Sequence, residues 1–135
     1  MLNKIESIVN FLKSKTPLNP KLGIILGTGL GGLIQKIDIK FSISYSDIPN
    51  FPVSTVEGHH GKLIFGHLSD VPVVAMQGRF HYYEGYNMEN VTLPVRVMKL
   101  LGIEYLFISN ASGGVNPDYK VGDLMVLNDH INLIP

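Results

Sequence analysis

Leu22-Gly23-Ile24-Ile25-Leu26-Gly27-Thr28-Gly29-Leu30-Gly31-Gly32 is a short apolar run that opens into a glycine-dense loop. The run reads as a buried strand and the glycines as the turn that ends it. Without a Cβ in the way, such a turn can aim several backbone N–H groups at one anion. Thr28 adds a hydroxyl donor, and a short helix over about 30–37 would add the partial positive charge of its N-terminus. The spacing also satisfies G-x-G-x-x-G, with Asp47 beyond the next strand, near where a dinucleotide's ribose would find an acid. Against a dinucleotide site, the segment between loop and strand is short for the usual helix, and Asp38 interrupts it. An ordinary strand–helix turn is the bland alternative.

Outward from this loop the pattern alternates. Leu2, Ile5, Ile8, Val9 and Leu12 predict an amphipathic helix over 2–15, stopped by Pro17 and Pro20. Phe41, Ile43 and Tyr45 predict a half-exposed strand at about 40–45. Residues 47–61 read as a long loop, a kind often functional. Residues 62–68 and 71–77 predict a hairpin turning at Ser69-Asp70. A polar, aromatic loop covers 78–86. A helix follows over about 87–101, its start obscured by Pro94 and its end marked by Gly102. A strand over 104–109 enters Asn110-Ala111-Ser112-Gly113-Gly114, and 123–127 reads as the start of another. Strands alternating with helices predict an α/β fold. The loops at 27–32, 78–86 and 110–114 each follow a strand, so they are expected to meet at the carboxyl ends of neighbouring strands.

Composition narrows the function. The 135 residues carry 11 Lys+Arg and 11 Asp+Glu, a formal charge of zero, which argues against a nucleic-acid or polybasic membrane partner. There is no cysteine, so thiol chemistry and cysteine-held metals are excluded. No apolar stretch is long enough to span a bilayer, and Glu6 falls where a signal peptide needs an apolar run, so a cytoplasmic location is expected. Hydrophobic residues make up 45%, enough for a core. Charged residues make up only 16%, against about 25% in a typical domain, as if much of the surface were covered in a larger fold or an oligomer.

Two further segments carry chemistry. Gly78-Arg79-Phe80-His81-Tyr82-Tyr83-Glu84-Gly85-Tyr86 concentrates a guanidinium, an imidazole, a carboxylate and three phenols. Arg suits planar phosphate recognition, His81 can donate once suitably protonated, and Glu84 can orient either. Gly58-His59-His60-Gly61 places two imidazoles in the long loop, as donors at a mobile tip. A metal shared with His81 or His130 is disfavoured, because adjacent histidines on extended backbone diverge and no carboxylate is placed beside them, so no metal is expected.

Together these segments resemble the trimeric purine nucleoside phosphorylase family, which also contains methylthioadenosine phosphorylases. The resemblance rests on Gly27-Thr28-Gly29-Leu30-Gly31, Ile48-Pro49-Asn50-Phe51-Pro52, Val56-Glu57-Gly58-His59-His60-Gly61, the run from Met76 to Tyr86, Asn110-Ala111-Ser112-Gly113-Gly114, Gly122-Asp123 and Asp129-His130-Ile131-Asn132. It implies an α/β fold with a mixed central sheet flanked by helices. It implies reversible phosphorolysis of purine nucleosides to free base and (deoxy)ribose 1-phosphate, with no cofactor. Carried over by position, phosphate ligands fall on Thr28, His59, Arg79, His81 and the N–H of Ala111. The sugar-contacting tyrosine falls on Tyr83, and the catalytic pair on His81 and Glu84. Thr28 stands where many members have serine.

Family members are roughly twice as long, and their purine-recognising groups lie beyond the position of Pro135. Residues 1–135 are therefore expected to form the N-terminal portion of a single domain, apparently truncated and inactive alone. The full-length protein is expected to be a homotrimer binding nucleoside and phosphate. The competing expectations are a non-catalytic module that binds phosphate or nucleoside, and, more remotely, a nicotinamide-dependent oxidoreductase.

Overall fold

A computed structural model describes residues 2–27, 29, 31–53 and 61–134. Among the described residues, five strands form one mixed sheet: β1 (Leu22–Ile25), β2 (Ile37–Ser44), β3 (Lys62–Leu68), β4 (Val71–Gln77) and β5 (Tyr105–Ile108), in the spatial order β2-β3-β4-β1-β5. β1 runs parallel to both β4 and β5, whereas β2, β3 and β4 are antiparallel. The helices α1 (Leu2–Lys15) and α2 (Met88–Leu101) complete the frame.

Strand alternation divides the core in two. Ile25, Leu63, Phe65, Val74 and Met76 point to one face, where they pack with Ile5, Ile8, Val9 and Leu12 of α1 and Leu93, Val97 and Met98 of α2. Ile24, Ile37, Ile64, Val73 and Ala75 point to the other. There Leu33 and Ile34 of the 3₁₀ helix Gly31–Lys36 pack against them.

α1 matches its predicted span, with Ile5, Ile8, Val9 and Leu12 buried and Lys13 and Lys15 in the last turn, where positive charge is favoured. α2 runs through Pro94. A proline inside a helix costs roughly 3 kcal/mol. Burial of Leu93, Val97, Met98 and Leu101 offsets it, at about 1.5–3 kcal/mol per large aliphatic side chain. The ends are fixed as well: the Asn87 side chain accepts from Asn90 N–H at 2.8 Å, and Gly102 caps the C-terminus at φ 110°.

Two sequence expectations need correction. β2 begins at Ile37 rather than near 40, because Asp38 and Lys40 are compatible with an exposed edge strand, where they pair at 2.7 Å. Residues 123–127 form no strand. Asp123 instead closes a turn with Lys120, and Leu124 and Val126 stand exposed, with no strand to bond them among the described residues. β5 is also open, with Leu106 and Ile108 on the α2 side and Tyr105 and Phe107 on the other, all accessible to solvent. Parallel strands are ordinarily covered on both faces.

Among the described residues, no helix is long and apolar enough to cross a membrane.

Candidate anion site

β1 is flanked by parallel neighbours, so the loops after β4, β1 and β5 leave the sheet side by side at one end. Ser109, the first residue after β5, ties all three together. Its N–H donates to Ile25 O at 3.0 Å, its hydroxyl lies 3.4 Å from the same carbonyl, and its Oγ accepts from Gly27 N–H at 3.2 Å. Its own carbonyl accepts from Arg79 Nη1 at 2.8 Å. The expected meeting of the 27–32, 78–86 and 110–114 loops is thus built around a serine that no sequence motif singled out. Only its place at a strand end, just before the small-residue turn, hinted at it.

The Arg79 loop is a connected chain of side chains. Gly78 leaves β4 at φ 85°, a left-handed turn that glycine adopts readily. Arg79 Nε–H then donates to His81 Nε2 at 2.8 Å. With Nε2 accepting, Nδ1 is the nitrogen that carries the proton, and it donates to the Glu84 carboxylate. Glu84 is brought under His81 by the 3₁₀ turn Tyr82–Glu84, which ends at Gly85 in the left-handed region. Tyr83 stacks on the His81 ring with centroids 4.7 Å apart and is 81% exposed on its outer side. A guanidinium has five N–H donors, of which two are committed to His81 and Ser109, so three remain for a ligand.

Among the sequence-predicted site residues, Arg79, His81, Tyr83 and Glu84 form this contiguous group. Ala111 lies two residues beyond Ser109 on an exposed, irregular segment, its carbonyl 3.4 Å from Asn110 Nδ2. Thr28 and His59 lie outside the described residues, as does His60. Gly27, next to Thr28, is fixed against Ser109. No group of three metal-ligating side chains occurs among the described residues.

The dinucleotide alternative does not survive the topology. The glycine loop leads into a six-residue 3₁₀ helix and not a long crossover helix. Asp47 follows β2 at the sheet edge, with β3 and β4 between β2 and β1. A ribose-binding acid would have to stand beside β1.

Next to the anion group lies a cavity of about 210 Å³ bounded by Ile25, Met76, Phe80, Val95 and Ile108, with Arg79 its only charged lining residue among the described residues. Arg79 thus marks the border between an apolar space and the polar loops.

A sequence model described as the phosphorylase superfamily matches residues 21–134. The chain belongs to the phosphorylase superfamily. Purine nucleoside phosphorylase 1 of Geobacillus stearothermophilus is 59% identical over 128 residues, covering 95% of this chain and 47% of that protein. Purine nucleoside phosphorylase of Bos taurus is 52% identical over 128 residues, covering 95% of this chain and 44% of that protein. Among solved structures, a purine nucleoside phosphorylase in complex with ribose-1-phosphate superposes with a TM-score of 0.86 at 49% identity, over 90% of this chain and 45% of that one. This phosphorylase-superfamily chain therefore spans about half the length of the curated relatives it matches. The resemblance implied a mixed central sheet flanked by helices, and the described strands form such a sheet.

The packing of Gly27 gives a direct test of the site. A Cβ there would stand 2.6 Å from Ser109 O and 2.7 Å from the Asn110 Cα, both backbone atoms. Gly27→Ala is expected to displace the carbonyl that holds Arg79 and to cost about 1–3 kcal/mol of stability, as overpacking does. Affinity at the candidate anion site, read with inorganic phosphate as the probe, should fall with it. Gly31→Ala, where a Cβ meets nothing within 4 Å, should leave both nearly unchanged. Urea denaturation and a ³¹P NMR titration of the three proteins check this. Equal behaviour of the two variants would count against the packing argument.

Proposed function

We propose that this chain forms the phosphate-binding side, and part of the sugar-binding side, of an enzyme that carries out reversible phosphorolysis of purine nucleosides. The observation that carries the reading is the Arg79–His81–Glu84 chain anchored to the glycine loop through Ser109. The similar proteins support it: solved relatives hold ribose-1-phosphate, hypoxanthine or inosine.

In this reading Arg79 presents its remaining N–H donors to the phosphate dianion, joined by the Thr28 hydroxyl, His59 and the Ala111 N–H. A phosphate reaching Arg79 competes with His81 Nε2 for the guanidinium. Once Nε2 carries a proton, His81 becomes a further donor, while Glu84 keeps its ring oriented from Nδ1. Tyr83 closes the sugar side. As the C1′–N9 bond lengthens, positive charge grows on the ribose. The clamped dianion stabilises that charge, and one of its oxygens then forms the new bond to C1′. The electron pair of the broken bond leaves with the purine, which takes up a proton.

Groups that receive the purine are expected in the remaining half of the fold, continuing the sheet past the open edge of β5. A homotrimer of the full-length protein in the cytoplasm, acting in purine salvage, completes the proposal. The second reading, a chain that binds phosphate without turnover, is favoured for the 135 residues alone by their match to under half of each relative.

The two separate in one assay. Residues 1–135 alone should produce no hypoxanthine from inosine, with or without phosphate. The same residues joined to the remaining half of the fold should do so only when phosphate is present. Robust turnover by the 135-residue chain would show that the division of labour is wrong.

A further inference from the structure

Tyr45 belongs to none of the roles above, yet it is placed against both ends of the Arg79 turn. It follows β2, is 2% exposed, and donates its hydroxyl to Gly78 O at 2.7 Å. Its ring lies 5.3 Å from that of Phe80 and 5.2 Å from that of Phe51. Arg79 is therefore bracketed: the residue before it is held by the Tyr45 hydroxyl, and the residue after it by the Tyr45 ring.

The same residue fixes a third strand end, through its backbone N–H and its ring. Tyr45 N–H donates to Gly61 O at 2.9 Å, and a Cβ on Gly61 would fall 2.0 Å from a carbon of the Tyr45 ring. The ring occupies the space that the absent side chain leaves. The polar end of a buried aromatic here meets a carbonyl on a left-handed glycine, at the point where β4 turns into the site.

We infer that Tyr45 is a positioning residue for the anion site, setting where Arg79 and His81 stand by holding the Gly78 carbonyl. Burial pushes its hydroxyl above the ordinary tyrosine range, so at neutral pH it is the donor to the Gly78 carbonyl. The inference deepens the proposed function but does not depend on turnover. A tyrosine that merely filled the core would stabilise the fold equally well without its hydroxyl's partner being the residue before Arg79.

The test reads the Arg79 Nε–H and His81 ring resonances of the chain by NMR, beside a titration with inorganic phosphate. Tyr45→Phe keeps the ring and removes the donor. It should shift both resonances, speed exchange of the Arg79 Nε–H, and weaken phosphate binding by about 5-fold, the size of one neutral hydrogen bond. Phe41→Leu, whose ring packs on Phe65, disturbs the same core cluster but keeps the hydroxyl. It should lower the unfolding midpoint while leaving the Arg79 and His81 resonances in place.

Unchanged Arg79 and His81 resonances in Tyr45→Phe would overturn the inference. Should that variant fail to fold, the unmodified chain decides. A slowly exchanging Tyr45 hydroxyl proton with a cross-peak to Arg79 N–H supports the positioning role, and its absence overturns it. If the resonances move but the unmodified chain binds no phosphate, the positioning role stands and the phosphate site proposed above fails.

Discussion

At the proposed phosphate site, Arg79→Ala is expected to lower phosphate affinity by about 10- to 100-fold, the loss for a hydrogen-bonded charge acting on a dianion. Thr28→Ala, which would remove the one neutral hydroxyl donor the proposal assigns there, is expected to cost about 5-fold. The difference has a structural basis beyond charge. The guanidinium bridges His81 Nε2 and Ser109 O, both at 2.8 Å, so its removal also detaches the loop after β4 from the loop after β5. Arg79→Lys separates the two effects. It keeps the charge but has no planar fork to span both acceptors, so its affinity should lie between that of the unmodified chain and that of Arg79→Ala. Phosphate titration at fixed ionic strength measures all three. In a turning-over enzyme the same defect should appear in the phosphate dependence of the rate before it appears in nucleoside affinity. If Thr28→Ala proves the more damaging, the role given to Arg79 is wrong.

Phe65→Ala is expected to destabilise the chain by about 3–5 kcal/mol, the cost of emptying a buried aromatic site. Phe65 is fully buried on β3, on the sheet face that carries both helices, with its ring 6.0 Å from that of Phe41. The same cluster contains Ile8 and Leu12 of α1 and Val97 and Met98 of α2, so a cavity there loosens both layers. Small domains have only about 5–15 kcal/mol in total, so this single change should remove much of the stability. Phe41→Ala removes a ring that is only partly buried at the edge of the same cluster, so it should cost distinctly less. Urea midpoints for the two variants test the ranking. Equal losses would mean that the core is not centred where the helices meet β3.

The site is the part of this protein least visible from local sequence. Arg79, His81 and Glu84 could be singled out because three chemically rich residues fall within six positions, and a 3₁₀ turn needs no distant partner to bring His81 and Glu84 together. Ser109 could not. Its importance comes from bonds to Gly27 and Arg79, 82 and 30 residues away in the chain. Tyr45 read as the last alternating residue of a half-exposed strand, yet it is buried, because the chain turns inward there and the Gly61 backbone leaves room for its ring. Residues 123–127 show the opposite error. Their side chains suit a strand, but a strand exists only where a neighbour accepts its hydrogen bonds.

By itself the sequence determined the kinds and order of the elements as far as β5, since periodicity, caps and turn residues act over a few neighbouring positions. The 3.6-residue pattern of α1, the Asn87 and Gly102 caps of α2 and the Ser69-Asp70 turn are all of this kind. Only the tertiary structure decided that β1 lies between β4 and β5, and that choice brings three loops to one end of the sheet. The physical reason is that strand pairing joins backbone groups that every residue possesses. Which strands pair is settled by the burial of both sheet faces at once, a property of the whole chain that no short stretch of it contains.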